Sequence, residues 1–277
     1  MKKIITHLNP DLDAVAAIWL IKRFLPGWEK AGVGFAPAGE VEDVDANPDI
    51  LYVDTGRGKL DHHQTADYLS AAMLCFEYIK KERKGEQLKP LEERALEKLV
   101  EVVTQKDNAR DLDWQEVKED RYQFYLHNLI EDLKGLAKTD EAVVNFGMEA
   151  LDAVLLGLKN QVKADEELTK GIHFQTPWGE AIAVESGNQN VIWRGEAKGY
   201  ILVVKKSSDT GGVRVYSRPD SKVDLTKAYN KVRKMDPKSD WFLHASKQLL
   251  LNEASANPKM RPTKLSLEEM IEVLKKK

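Results

Sequence analysis

Cysteine is almost absent from this sequence: Cys75 is the only one in 277 residues. A single thiol excludes an internal disulfide framework and any zinc site built from several cysteines. Long hydrophobic runs are missing as well. Ala14 to Leu20 is typical of those present, with Lys22 and Arg23 close behind it. Nothing approaches the roughly 20 apolar residues that a membrane span requires. The opening MKKIITHLNPD carries two lysines but no apolar core and no small-residue cleavage site, so it does not read as a secretion signal. The expected location is the cytoplasm, with no membrane partner. Internal repeats and low-complexity stretches are also lacking, which excludes a solenoid.

The composition, 42% hydrophobic and 31% charged, is that of a globular chain long enough to bury one large core or two modest ones. Its net charge of −3 hides an asymmetry. Residues 201–277 hold 17 Lys and Arg against 9 Asp and Glu, while residues 1–200 hold 25 against 36. An acidic part suits cations and a basic part suits anionic substrates. The overall acidity argues against a protein that coats long nucleic acid, which must neutralise many phosphates.

Hydrophobic periodicity predicts a strand over Lys3 to Thr6, a helix over Asp13 to Phe24, and strands over Gly32 to Ala36 and Ile50 to Val53. Helices are predicted over Thr65 to Arg83, Leu91 to Gln105, about Trp114 to Leu136, and Glu141 to Asp165. This order indicates an α/β fold, a mostly parallel sheet flanked by helices. The pattern changes near Lys170. Short β-rich runs follow at His173 to Phe174, Ala181 to Val184, Val191 to Trp193, Tyr200 to Val204 and Val213 to Tyr216. A helix near Leu225 to Lys234, a strand at Trp241 to His244 and a helix from Ser266 to Lys275 complete the chain. The expected division is a catalytic domain over 1–167 and a smaller α+β domain with a largely antiparallel sheet over 168–277.

The chemistry-bearing residues cluster after the predicted strands. His7, Asp11 and Asp13 follow the first as HLNPDLD; Asp54 ends the third as LYVDTG; Asp61, His62 and His63 come next as KLDHHQT. In open α/β sheets the ligand crevice lies beyond the carboxyl ends of the strands, so these clusters can converge there. Imidazole and carboxylate without thiolate suit Mn²⁺, Mg²⁺, Fe²⁺ or Co²⁺. Several carboxylates meeting at one place repel unless cations neutralise them, and two hard cations sharing a carboxylate can activate water and clamp a phosphoryl group. Asp11 and Asp13 are expected on opposite sides of an extended backbone, one for each of two cations, and His62 and His63 likewise face opposite ways. Each piece has a plainer reading: Asp11 as a helix cap, His7 as a core histidine, Asp54 as a turn residue.

The segments HLNPDLDAVAA, LYVDTG and LDHHQTADYLSAAML, taken in order, resemble the first three motifs of the DHH phosphoesterase superfamily. Superfamily members include RecJ-type nucleases, family II inorganic pyrophosphatases and small-oligonucleotide phosphodiesterases. The form DHHQ, the later Lys106-Asp107-Asn108 and the terminal WFLHAS are most similar to the melanocyte-proliferating-gene family of metal-dependent nucleases. Ala109 stands where the fourth motif of that family has glycine. The resemblance implies one cation held by His7, Asp11 and Asp54 and another by Asp13, Asp54, His62 and Asp107, with Mn²⁺ expected before Mg²⁺ or Co²⁺. It further implies that His63 faces the phosphate and that Asp61 orients the histidines. Asp111 and Asp113 compete with Asp107 on sequence alone.

In the second part the resemblance points to a substrate grip built from a glycine-rich turn and a histidine, for which Gly211, Gly212 and His244 are the nearest matches. Arg214 and Arg218 flank that turn, and arginine offers bidentate phosphate contacts. Ordinary hairpin chemistry explains the same Gly-Gly segment. His127 and His173 read as structural, and Tyr216, Trp193 and Trp241 as aromatics able to stack on a base or fill a core. The expectation is a phosphodiesterase or exonuclease acting on nucleotides or short single-stranded nucleic acid, with a homodimer left open. A small-molecule phosphatase or pyrophosphatase is the enzymatic alternative, disfavoured by the lack of a dense Arg/Lys cluster. VAAIWLIKRFLP also resembles the start of the chromate-resistance family, a non-enzymatic alternative that leaves DHHQ unexplained.

Overall fold

Lys3–His7 (β1) is flanked on both sides by parallel partners, Gly32–Ala36 (β2) and Ile50–Tyr52 (β3), in the order β2-β1-β3. Ile4 pairs with Val33 on one side and Leu51 on the other, and it is fully buried. All three strands therefore end on the same edge, and that edge carries His7 and the turn at Asp54. The computed structural model describes residues 1–83, 85–136 and 138–275. The chain divides into two units, 1–159 and 160–277.

Asp11 starts helix α1 (Leu12–Phe24), its Oδ1 accepting the Ala14 amide at 3.0 Å. Pro26 then disfavours continuation past Leu25, which takes extended backbone. Every residue from Leu12 to Ile21 is buried, so α1 is the axis of the first core. Helices α2 (Ala71–Glu82), α3 (Pro90–Asp107), α4 (Leu126–Gly135) and the first part of α5 (Asp140–Leu168) belong with it. Helix α2 begins later than the pattern suggested, at Ala71, because Ser70 caps it and the Asp13 carboxylate takes the Ala71 and Ala72 amides at 2.6 and 2.8 Å.

The single helix expected over Trp114 to Leu136 is instead three short 3-10 segments between Arg110 and Phe124, followed by α4. Ala109 in the left-handed region (φ 55°) and extended backbone at Trp114, Glu119 and Tyr125 interrupt it. Buried Asp111 anchors the detour by accepting the Tyr122 hydroxyl and pairing with Lys106 at 3.4 Å.

The second unit holds a six-stranded mixed sheet: β4 (Ile172–Thr176), β5 (Gly179–Glu185), β6 (Leu202–Lys206), β7 (Val213–Ser217), β8 (Phe242–Leu243) and β9 (Leu249–Leu251), in the order β4-β5-β6-β7-β9-β8. Four of its pairings are antiparallel; β5 and β6 run parallel. A parallel pair needs a crossover, and here it is helix α6 (Asn190–Ala197). Val191 to Trp193 is therefore helical, a correction to the predicted strand. Its Val191 and Ile192 pack with Ile182, Val184 and Val203 on one sheet face. Ala181, Ala183, Leu202, Val204, Val213 and Val215 point to the other face, beneath α7 (Thr226–Met235) and α8 (Leu267–Leu274). This two-residue alternation is the period of a sheet buried on both sides. None of the helices in the described residues is long and apolar enough to cross a membrane.

Candidate metal centre

The common strand edge brings three sequence clusters to one carboxylate. Asp54 follows β3 in left-handed backbone (φ 55°), and its amide is held by the Leu60 carbonyl at 3.0 Å. Gly56 permits the reversal, since its φ is +86° and a Cβ there would come within 2.9 Å of Val44. The turn aims Asp54 back over the end of β1. Asp54 Oδ2 lies 3.3 Å from His7 Nε2, and Oδ1 lies 3.4 Å from His62 Nε2.

Around these pairs, His7, Asp11 and Asp54 form one group able to hold a cation, and Asp13, His62 and Asp107 form a second. Asp54 connects them, with Oδ2 at His7 and Oδ1 at His62; Oδ1 also lies 3.6 Å from His63 Nδ1, so Asp54, His62 and His63 form a third such group. Extended backbone would place Asp11 and Asp13, two residues apart, on the same side; they separate because a helix begins between them. Asp11 is the cap of α1 and Asp13 lies in its first turn, so two helical residues, about 200° of rotation, divide them. Both double as structural caps, of α1 and α2 respectively. Asp107 closes α3, while Asn108 beside it donates to the Leu69 and Thr104 carbonyls at 2.8 and 2.9 Å. Of its sequence competitors, Asp111 turns Oδ2 to Tyr122 and Lys106 and joins none of the cation-holding groups, and Asp113 is exposed. Ala109, at the position where the resemblance has glycine, adopts a backbone that favours glycine.

Proton placement tests whether cations fit. His7 Nδ1 faces the Leu8 carbonyl at 2.8 Å, an acceptor only, so Nδ1 carries the hydrogen. In a neutral ring the Nε2 lone pair would then face a carboxylate oxygen, two acceptors 3.3 Å apart. A second proton or a cation must lie between them. His62 Nε2 meets Asp54, Asp107 and Asp13 oxygens at 3.4, 3.4 and 3.7 Å. One N–H cannot serve three oxygens, and both Asp54 Oδ1 and His62 Nε2 are buried without a hydrogen bond. Ligand atoms about 2.1 Å from one ion stand about 3.0–3.4 Å apart, close to these spacings. The donor set fits divalent cations.

Electrostatics agree. Its Asp54 Oδ2 partner raises His7 to about 9 despite burial, and the close approach of Asp54 Oδ1, with Asp107 and Asp13 beside it, raises His62 to about 9. Burial pushes Asp54 upward, but the His62 and His7 rings against its two oxygens prevail and hold it below the ordinary carboxylate value. Burial, reinforced by neighbouring carboxylates, drives Asp13 well above its ordinary value, raises Asp11, and lifts Asp107 to about 6. The raised values mark a centre whose carboxylates call for positive charge, which divalent cations would supply.

His62 and His63 do not face opposite ways. Their ring centroids are 4.4 Å apart at an interplanar angle of 38°. Burial distinguishes them instead: the His62 side chain is 14% exposed and the His63 side chain 57%. Asp61, itself buried, accepts the Arg57 amide at 2.7 Å, the His63 amide at 3.1 Å and the His63 ring Nδ1 at 2.7 Å. Among the described residues His63 Nε2 has no hydrogen-bond partner, and His63 borders a cavity of about 420 Å³ lined also by His7, Asp11, Asp54, Thr55, Asp61 and Arg57. Arg57 escaped the sequence reading; its place between DTG and DHH was the available signal.

The second-unit residues do not gather in one grip. Arg214 Nε pairs with Glu253 at 3.0 Å and Arg214 Nη1 donates to Gln189. Gly212 packs so tightly that a Cβ would lie 2.6 Å from Glu253 Cβ, and Gly211 (φ +73°) shapes the same turn. Arg218 pairs with Asp220 past the far end of β7. His244, exposed beyond β8, accepts the Ser246 amide at 3.1 Å through Nδ1. About four residues of strand, roughly 13 Å, separate Arg214 from Arg218.

No family model matches the chain, and no curated protein matches it. Among solved structures it is similar to an uncharacterized protein from Helicobacter pylori, with 12% identity over 98% of this chain and 97% of that one and a TM-score of 0.27. It is also similar to RecJ in complex with Mg²⁺ from Thermus thermophilus, with 15% identity over 98% of this chain, 48% of that one, and a TM-score of 0.33. The chain thus spans about half the length of that RecJ chain. A DHH domain described as a member of the s1p family of ribosomal proteins aligns at 12% identity over 99% and 88% of the two chains, with a TM-score of 0.33.

Proposed function

We propose that this chain is a metal-dependent phosphoesterase of the DHH kind that hydrolyses phosphodiester bonds in nucleotides or short single-stranded nucleic acid. The observation that carries this reading is the Asp54 carboxylate, with one oxygen at His7 and the other at His62. His7, Asp11 and Asp54 would hold one divalent cation, and Asp13, Asp54, His62 and Asp107 the other, with Mn²⁺ the first choice. Two such ions held there would activate a water as nucleophile and set positive charge against the phosphoryl oxygens.

The remaining work falls to the chain's own groups. His63, oriented through Nδ1 by Asp61, presents Nε2 to a phosphate oxygen or a leaving alkoxide. Arg57, on the wall of the same cavity and paired at its exposed end with Glu40 at 3.7 Å, adds a cation that can turn to a phosphate oxygen. Asp13 and Asp11, pinned by helix amides, hold their side of the centre rigid, which keeps the reacting phosphate in one geometry. The test is turnover of bis-nitrophenyl phosphate with Mn²⁺ and with EDTA, followed by short RNA, DNA and pyrophosphate. Bound metal without turnover of any of them would instead favour a metal-binding sensor.

A further inference from the structure

A cavity of about 630 Å³ opens on the second unit, lined by Tyr229, Asn230, Arg233, Lys234, Trp241 and Arg261 and by none of Gly211, Gly212, Arg214, Arg218 and His244. Its volume is that of a ligand pocket, typically about 300–1,000 Å³. Three of these six side chains are cationic, and the one acid on the wall, Asp240, is taken up by Nε and Nη2 of Arg261 at 3.1 and 2.8 Å. Among the described residues no carboxylate pairs with Arg233 or Lys234; the Arg233 guanidinium stacks 5.3 Å above the Tyr229 ring.

Helical spacing explains the grouping. Asn230, Arg233 and Lys234 stand three and four positions apart on α7 and so share one flank, while Ala228 and Val232 turn inward. No acidic residue occurs in α7, which also carries exposed Lys227 and Lys231. Across the cavity, Trp241 is half-buried against the sheet core, and among the described residues its buried indole N–H has no acceptor. Unneutralised Arg and Lys beside two aromatic rings is the composition of a surface that tracks a phosphate backbone while bases stack. Phe242, 49% exposed on edge strand β8, extends the aromatic surface outward.

We infer that this cavity binds single-stranded nucleic acid, with Arg233 and Lys234 on the phosphates and Tyr229 and Trp241 against the bases. The identity of the ligand rests on the phosphodiesterase reading; the chemistry of the cavity stands without it. The test is fluorescence anisotropy of a labelled single-stranded 12-mer on the full chain in EDTA, where no turnover contributes. The double variant Arg233→Gln/Lys234→Gln changes only exposed side chains, and an unchanged melting curve verifies its fold. It should weaken binding at least tenfold and reduce the log–log salt slope by about 1.4, two contacts at about 0.7 each.

A change below twofold overturns the inference. So does an equal loss in the charge-matched pair Lys98→Gln/Lys118→Gln, which would reduce the effect to bulk charge. Adenosine monophosphate should compete only at concentrations about a hundredfold higher; displacement at the strand's own Kd would mean a single-nucleotide pocket and defeat the strand reading. Because binding is read without catalysis, a chain inactive on every phosphodiester leaves this result standing. An active chain with unaltered strand affinity in the double variant leaves only the proposed function.

Discussion

Asp61 holds the imidazole of His63 through a 2.7 Å hydrogen bond between Oδ1 and Nδ1, and the same buried carboxylate caps the amides of Arg57 and His63. One side chain thereby sets both the tautomer of His63 and the shape of the loop that carries DHH. Asp61→Asn keeps the volume but loses one acceptor oxygen, so at least one donor is left unsatisfied, at a cost of about 1–3 kcal/mol. The expected result is a lower unfolding midpoint and a roughly 10- to 100-fold fall in turnover at saturating metal, the range for losing an orienting partner. Full turnover in this variant would show that the orientation of His63 is immaterial.

Asp54 is the sharper test of two cations against one. Asp54→Asn removes the charge shared by His7 and His62 while leaving a side chain of the same shape. Metal content measured by plasma emission should drop by at least one ion per chain and turnover should vanish, with the circular dichroism spectrum retained. Near-normal turnover, or unchanged stoichiometry, would sink the bridging role.

Linkage gives a prediction for pH. His7 and His62 are held at about 9 in the cation-free protein, against an ordinary 6.5. Between those values the folded state binds more protons than the unfolded one, so stability falls as pH rises. Their contribution is complete below pH 6.5 and gone above about 9. Divalent cations replace those protons, so their stabilising effect should grow through the same window. Urea midpoints at pH 6.5, 7.5 and 8.5 in EDTA should decline; with saturating Mg²⁺ the decline should flatten or reverse. A midpoint that rises with pH in EDTA contradicts the protonation argument.

Much of the centre was legible because its residues follow the ends of adjacent parallel strands, where convergence needs no long-range information. The strands β1 to β3 and helix α1 were readable for the same local reason: β-branched runs, then an Asn-Pro-Asp cap. What escaped depends on partners far apart in sequence. Val191 to Trp193 looks like a strand until β5 and β6 are known to run parallel and to require a crossover. The Trp114 region looks helical until Asp111 is seen anchored to Lys106 and Tyr122. Leu249–Leu251, too short for a periodic signal, was passed over although it joins β7 to β8 within the sheet. His62 and His63 lie side by side because Asp61 curls the segment, which no alternation rule anticipates.

Arg214 offers the last test, because sequence reasoning makes it a phosphate contact and its surroundings make it structural. Lys205 is nearly fully buried, and Glu253 joins it at 3.3 Å while pairing with Arg214 at 3.0 Å. Thr210 donates to the second Glu253 oxygen, so the Gly211-Gly212 turn is tied into the same carboxylate. Removing the carboxylate would leave a buried Lys205 without compensation, and breaking such a pair costs about 3–5 kcal/mol. Removing the guanidinium leaves Glu253 still neutralised by Lys205. Glu253→Gln should therefore destabilise the chain substantially more than Arg214→Ala in urea melts. Arg214→Ala should slow a short oligonucleotide and the nitrophenyl ester by the same factor, through the fold alone. A loss confined to the oligonucleotide would return Arg214 to the substrate and show that Glu253 releases it on binding.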